Sequence, residues 1–263
     1  MILVVGATGT TGREVVRELV AAGAPVRGLT RSEERAEALR GLGAQAAVGD
    51  LGDPLSLMPA LRGVERMYVA TPVSEGQAEL ESNAFAAAEQ AGVYHVVKLG
   101  VITQGPASPL RFGRVHSEAA EALTSSSLRW TLLLASGFMQ GLRATDGRYA
   151  SSLGDARVAW VDARDVAAVA ARALVQEGHE NCSYTLTGPE ALSGDEVAAS
   201  LGAEHVRVSD EEAVAPLRSG GASEWRVEGL VELWRDVYRA GLAATPTPDV
   251  EAVLGRPARS LRD

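Results

Sequence analysis

The chemistry in this chain begins with three glycines. Gly6, Gly9 and Gly12, with Thr8, Thr10 and Thr11 between them, follow the apolar run Ile2-Leu3-Val4-Val5 and precede an amphipathic pattern that starts at Arg13. Strand, glycine turn and helix start, in that order, make an anion site, because a helix N-terminus offers unpaired backbone N–H groups and the positive end of its dipole. Gly6 permits the tight turn, Gly9 lets a pyrophosphate approach the backbone, and Gly12 lets the helix pack close to the sheet. An ordinary glycine-rich turn can share this spacing, but its place directly behind a clean strand favours a dinucleotide. Arg31 then selects the dinucleotide. It stands with Ser32 just past the second apolar run, where an NAD site usually holds a carboxylate for the ribose 2′-hydroxyl, and the first carboxylate here is Glu33. A guanidinium at that place suits a 2′-phosphate through paired, charge-assisted hydrogen bonds, with Arg35 able to help from the next turn. The expected cofactor is NADP(H).

Hydride transfer to a carbonyl needs the acceptor held against the nicotinamide and a proton or hydrogen bond for the developing oxyanion. His116 is the first candidate, since imidazole donates or accepts near neutrality. Lys98 is the second: it is the only lysine among 25 basic side chains and falls near the end of the fifth apolar run. Each has a plainer alternative, His116 as a helix-surface histidine and Lys98 as a strand-end lysine reaching water. Tyr94 and Lys98 match the Tyr-x-x-x-Lys spacing, but on a strand four residues span roughly 13 Å against about 6 Å on a helix, too far to serve one atom. Ser136, Phe138 and Met139, just past the sixth apolar run, and Tyr149 beyond them are expected at the substrate, with a core position as the alternative. Asp162 and Asp165 read as a strand-end turn and a helix start. The four histidines are scattered without partners at ligand spacing, so no metal is expected. Cys182, the lone cysteine, reads as a structural thiol.

The elements that must position these groups alternate. Apolar runs at residues 2–5, 26–30, 44–48, 67–71, 93–99, 130–134 and 158–161 read as strands, and helical patterns fall at 13–22, 33–42, 55–61, 77–91 and 116–125. A further helix begins at Arg164 or Asp165, and a further strand covers 184–187. This predicts an α/β fold, a Rossmann-type doubly wound parallel sheet with helices on both faces. Beyond Gly188-Pro189 the elements become short: helices at 194–201, 210–218, 223–240 and 248–254, with a strand at 205–208. They read as too broken for a core of their own. The expectation is one domain, 1–263, with a dinucleotide-binding core at 1–135 to which 157–187 return. A smaller, mostly helical substrate lobe comprises 136–156 and 188–263.

The 263 residues, 46% hydrophobic and 22% charged, have the composition of a soluble globular chain. A formal net charge of −9 argues against nucleic acid or an anionic membrane as partner. No segment is apolar for the roughly 20 residues that a membrane helix needs, and no basic region precedes the first strand. A cytoplasmic monomer or weak homodimer acting on a small carbonyl or quinone is the expectation.

Further segments give the chain a likeness. Gly49-Asp50-Leu51 precedes Asp53-Pro54, Tyr68-Val69-Ala70-Thr71-Pro72 closes the fourth run, and Val97-Lys98-Leu99 lies in the fifth. Later come Trp160-Val161-Asp162-Ala163-Arg164-Asp165, Leu186-Thr187-Gly188-Pro189-Glu190 and Gly255-Arg256-Pro257. With the glycine loop, these resemble the NmrA-like group of atypical short-chain dehydrogenases/reductases, including its NAD(P)H:quinone oxidoreductase type, over nearly the whole chain. The resemblance implies that Asp50 and Leu51 sit at the adenine, that Ala70, Thr71 and Pro72 line the cofactor, and that Lys98 contacts its nicotinamide ribose or the substrate. Departures accompany it. Gly100 stands where relatives usually carry Ser, Leu134-Ala135 where many have Arg-Pro, and His116 and Ala120 where classical members place Tyr and Lys. The resemblance therefore implies an NADPH-dependent reductase of ketones or quinones without the usual Ser-Tyr-Lys set. A substrate whose own phenol polarises its carbonyl, such as an aromatic polyketide met by a tailoring ketoreductase of antibiotic biosynthesis, fits that loss. The alternative is a non-catalytic redox sensor that binds NADP(H) and protein partners.

Overall fold

A computed structural model describes residues 1–263. In chain order the elements are β1 (Ile2–Val5), α1 (Thr10–Ala21), β2 (Val26–Thr30), α2 (Glu33–Arg40), β3 (Gln45–Val48), α3 (Pro54–Ala60), β4 (Arg66–Val69), α4 (Gln77–Gln90), β5 (His95–Val101), α5 (Arg111–Thr124), β6 (Arg129–Ala135), β7 (Arg148–Ser151), α6 (Ala163–Val175), β8 (Cys182–Leu186), α7 (Gly194–Ser200), β9 (Glu204–Arg207), α8 (Asp210–Ser219), α9 (Glu224–Glu232) and α10 (Asp249–Leu254). Seven strands form one parallel sheet in the order β3-β2-β1-β4-β5-β6-β8. One apolar layer joins α1, α2, α6 and α10 to one face of the sheet, and a second joins α3, α4 and α5 to the other. This is the doubly wound Rossmann arrangement. Its chain reverses direction across the sheet between β1 and β4, where such folds bind ligands beyond the strand ends.

The segment at 158–161 is not a strand of the sheet. The place beside β6 is taken by β8, in register from Thr131↔Cys182 to Ala135↔Leu186. Residues 158–161 instead cross as an extended tie, with Val161 bridging Phe138 and Val158 bridging Leu192. α2 and α4 start where the periodicity places them, at Glu33 and Gln77, whereas α1, α3, α5 and α6 start earlier. α5 begins at Arg111 rather than 116, and Asp162 is the N-cap of α6, accepting from the Arg164 N–H at 2.7 Å. Asp165 is fully buried and holds the C-terminal segment, accepting from Arg256 Nη2 and the Arg259 N–H at 2.7 and 2.6 Å. The late Arg256-Pro257 motif is thus one half of a clamp whose other half is on α6.

Beyond β6 the chain gathers a third apolar cluster, with Tyr149, Trp160, Val197 and Tyr238 among its members, so these elements do share a core, to which Leu110 and Phe112 also contribute. It contains a two-stranded parallel β7–β9 sheet, whose first strand has no signal in the sequence. The helix expected over 223–240 is α9 followed by a π-helical turn, Leu233–Tyr238, which sets Tyr238 edge-on against Trp160 at 5.3 Å. No helix is long and apolar enough to cross a membrane.

One buried histidine ties stability to pH. His95 opens β5 with no exposed surface. Thr131 Oγ1 gives its proton to the His179 carbonyl (2.6 Å), so His95 Nε2 must donate to Thr131 Oγ1 (2.8 Å). His95 Nδ1 is buried without a partner. Burial lowers its pKa from 6.5 to about 4. The unfolded chain therefore takes up this proton first as pH falls. The contribution of His95 is complete above pH 6.5 and is lost on the way down to 4. Urea unfolding should show about 2 kcal/mol less stability at pH 5 than at pH 7 from this group. His95→Asn should flatten that part of the profile, and an unchanged profile would remove His95 as its source.

Candidate active site

A cleft of about 970 Å³ lies over the carboxyl ends of β1, β2, β4 and β5. Its floor is the glycine loop. The backbone N–H groups of Thr10, Thr11 and Gly12 have no acceptor within the protein, and the N-cap, Gly9, supplies no side chain to satisfy them. They are donors held ready for an anion. Gly6 has φ +77°, and a Cβ there would strike the Ala70 carbonyl oxygen. A Cβ at Gly12 would strike the Gly6 carbonyl, so Gly12 is what allows α1 to close upon the loop. Thr11 is fixed from behind by the buried Tyr68 hydroxyl, which donates to Thr11 Oγ1 at 3.1 Å.

Of the expected cofactor residues, Gly6, Thr8, Gly9, Thr10, Thr11, Arg31, Arg35, Asp50, Leu51, Ala70, Thr71 and Pro72 line this cleft. Neither Arg31 nor Arg35 has a carboxylate or other side-chain partner, so both guanidinium groups remain available to a phosphate. Asp50 sits in a turn stapled by Ser56: the Asp50 N–H donates to Ser56 Oγ (2.9 Å), and Asp50 Oδ1 accepts from the Gly52 N–H (2.9 Å). Ser32 does not line the cleft. Its hydroxyl caps α2 by accepting from the Arg35 N–H, and so orients that arginine's turn. The free N–H groups, the missing Cβ atoms and the unpaired arginines all suit a phosphorylated dinucleotide.

The expected acid–base pair is elsewhere. β5 continues to Val101, so Lys98 lies inside the strand, and its side chain has no exposed area. Lys98 Nζ pairs with Glu81 Oε2 at 3.0 Å and donates to the Leu99 carbonyl and to His116 Nδ1 at 3.1 and 3.2 Å. His116 is buried on the face that α5 turns towards α4, with Gln77 Nε2 also 3.2 Å from its Nδ1. Burial, and after it the Lys98 charge, pushes the His116 pKa well below the usual imidazole value, so the ring is neutral with its proton on Nε2. Glu81 accepts further from Gln77 Nε2 (3.0 Å) and Thr71 Oγ1 (2.6 Å). The result is a closed polar network, Thr71-Glu81-Lys98-His116-Gln77, and Thr71 is its only member at the cleft. Since the Thr71 proton is committed to Glu81, its oxygen can only accept from a ligand.

The substrate-side expectations divide in the same way. Phe138 lines the cleft, with Leu99, Gln140 and Gly141. Ser136, Met139 and Tyr149 do not: all three are buried, and Tyr149 lies in β7 within the third apolar cluster, where burial pushes its phenol up to about 12. Gly100 is not simply a lost side chain, because Gln104 Oε1 fills the space that a Cβ would take. The sequence reading misses Gln140 and Arg226 in the cleft and Gln77 and Glu81 in the network behind Thr71. For Gln77 and Glu81 a signal existed, since they continue the buried stripe Ala84, Phe85 and Ala88 of α4 and are polar groups at core positions.

The chain is similar to known NAD(P)H-dependent reductases. Residues 6–177 match a family described as NAD(P)H-binding. The NAD(P)H azoreductase of Xenophilus azovorans is 39% identical over 100% of this chain and 96% of its own length. The (4-alkanoyl-5-oxo-2,5-dihydrofuran-3-yl)methyl phosphate reductase of Streptomyces griseus is 37% identical over the same shares, 100% and 96%. The crystal structure of the NADPH-dependent quinone oxidoreductase of Escherichia coli with NADPH superposes with a TM-score of 0.87 at 27% identity, covering 100% of this chain and 97% of that one. The chain belongs to the NAD(P)H-binding family as an NmrA-like atypical short-chain dehydrogenase/reductase of the quinone-reductase type, and it is an NADP(H)-dependent oxidoreductase.

Proposed function

We propose that this protein reduces electron-poor conjugated acceptors, quinones foremost, with NADPH, and that it does so by holding the two reactants together rather than by supplying a strong acid. The observation that carries this reading is the lining of the cleft, which contains no tyrosine, histidine or lysine. Bound there, NADPH supplies a hydride from its nicotinamide ring. The loop N–H groups, Arg31 and Arg35 would hold its phosphates, and the Thr71 oxygen would accept a hydrogen bond from the bound ligand. Leu99 and Phe138 form an apolar wall that excludes water and orients a flat acceptor, which alone can be worth several kcal/mol. Lys98 and His116 then serve to fix Thr71 through Glu81, and the proton that completes reduction comes from solvent. A quinone accepts hydride readily without prior protonation. A hydroxyaryl ketone of the polyketide kind meets the same condition through its own phenol. The relatives named for azo and furanone-phosphate reduction support a broad acceptor range.

Oxidation of NADPH should be followed with a panel of quinones, azo dyes and hydroxyaryl ketones. Turnover is expected with quinones and to survive His116→Ala. Tight NADPH binding without turnover of any acceptor would favour the redox-sensor alternative, and loss of turnover in a folded His116→Ala would restore that ring to catalysis.

A further inference from the structure

We propose that Arg226 is an anion-recognition residue for the acceptor, so that the preferred substrates are conjugated acceptors bearing a carboxylate, sulfonate or phosphate group. This deepens the reading above and rests on it. Arg226 lines the cleft from α9, together with Phe138, Gln140 and Gly141. It comes from a different part of the fold than the two arginines assigned to the coenzyme. α9 packs against α5, which follows β5, whereas Arg31 follows β2. Three inter-strand spacings separate β2 from β5 in the sheet, roughly 14 Å. Arg226 therefore belongs to the ring end of the cleft.

Its guanidinium is free, although it sits among carboxylates. Glu224 pairs with Arg218, and Glu228 and Glu232 both pair with Arg111. The other arginines of this region, Arg235 and Arg239, pair with Asp236 and Asp210. Arg226 alone on α9 has no ion pair and no side-chain hydrogen bond, while its backbone is held: the Arg226 N–H donates to Ser223 Oγ, and Gly229 lies so close to the Phe112 ring that a Cβ would overlap it. Arg111 also bonds the Trp225 carbonyl and stands over the Trp225 ring at 5.8 Å. The helix is fixed and one cation is left facing the cleft. The charged groups lining the cleft are Arg31, Arg35, Arg226 and Asp50, three positive against one negative in a chain of net charge −9. The coenzyme's phosphates account for the first two arginines and the loop. An anionic group on the acceptor accounts for the third.

The test compares anthraquinone-2-sulfonate with neutral 2-(hydroxymethyl)anthraquinone, both titrated into the NADP+ complex of the full chain and both assayed as acceptors with NADPH. In Arg226→Gln the ratio of sulfonate to neutral affinity is expected to fall about tenfold, the discount for an exposed guanidinium included, and Arg226→Lys should recover part of it. The same ratio in kcat/KM should follow. An unchanged ratio overturns the proposal. So does a loss confined to NADP+ affinity, which would make Arg226 a coenzyme clamp. If the wild type binds both compounds and reduces neither, the quinone reading fails, and the binding ratio still decides the role of Arg226.

Discussion

Lys98→Met should destabilise the protein by about 3–5 kcal/mol, because it strands a carboxylate in the interior. Glu81 has no exposed surface, and Lys98 is the only cation paired with it. Its two remaining donors, Gln77 and Thr71, are neutral and cannot replace a charge. Removing both charges together is a smaller change, since a buried ion pair replaced by neutral groups of similar volume is often close to neutral in stability. Lys98→Met with Glu81→Gln should therefore regain most of the loss seen in Lys98→Met alone. Chemical denaturation of the two variants gives the comparison. If Lys98 were instead a catalytic group, Lys98→Met would keep its unfolding midpoint and lose turnover, and that result would return Lys98 to the chemistry.

Arg31→Ala should weaken NADPH binding on the order of 10- to 150-fold, the range expected when a charge-assisted pair of hydrogen bonds to phosphate is lost. NADH has no 2′-phosphate, so its affinity should change far less, and the selectivity between the coenzymes should collapse. Arg35→Ala should show a weaker form of the same effect, because Arg35 lines the same end of the cleft one helical turn on. Fluorescence titration with both coenzymes measures this directly. Equal losses for NADPH and NADH would place Arg31 away from the 2′-phosphate and leave coenzyme choice to other residues.

The coenzyme half of the site was legible in the sequence because its information is local. A strand, three glycines and a helix start lie within a dozen residues, and Arg31 is found by counting from the end of one strand. The polar network was not legible, because Lys98, Glu81 and His116 come from one strand and two different helices, and only the packing of α4 on α5 brings them together. In the sequence Lys98 reads as a strand end because the apolar run stops near Leu99, whereas Gly100 and Val101 continue the pairing with β6. The early start of α5 was hidden by the lack of any side-chain cap at Leu110. β7 was hidden because four residues, Arg-Tyr-Ala-Ser, are strand only by virtue of a partner more than fifty positions away. Arg226 carries no sequence signal at all: it differs from its neighbouring arginines only in having no carboxylate paired with it.

The two ends of the cleft are built by different means, and this bears on how such a protein can diverge. The end that grips the coenzyme is mostly main chain, locked by carbonyl contacts that forbid even a methyl group at Gly6 and Gly12. The far end is edged by Phe138, Gln140 and the exposed Arg226, the last on a helix that the Gly229–Phe112 contact and the Arg111–Glu232 ion pair hold through residues other than 226. Drift at that rim can exchange one clientele of acceptors for another without disturbing the grip, so a lineage can keep its reductant while its diet changes.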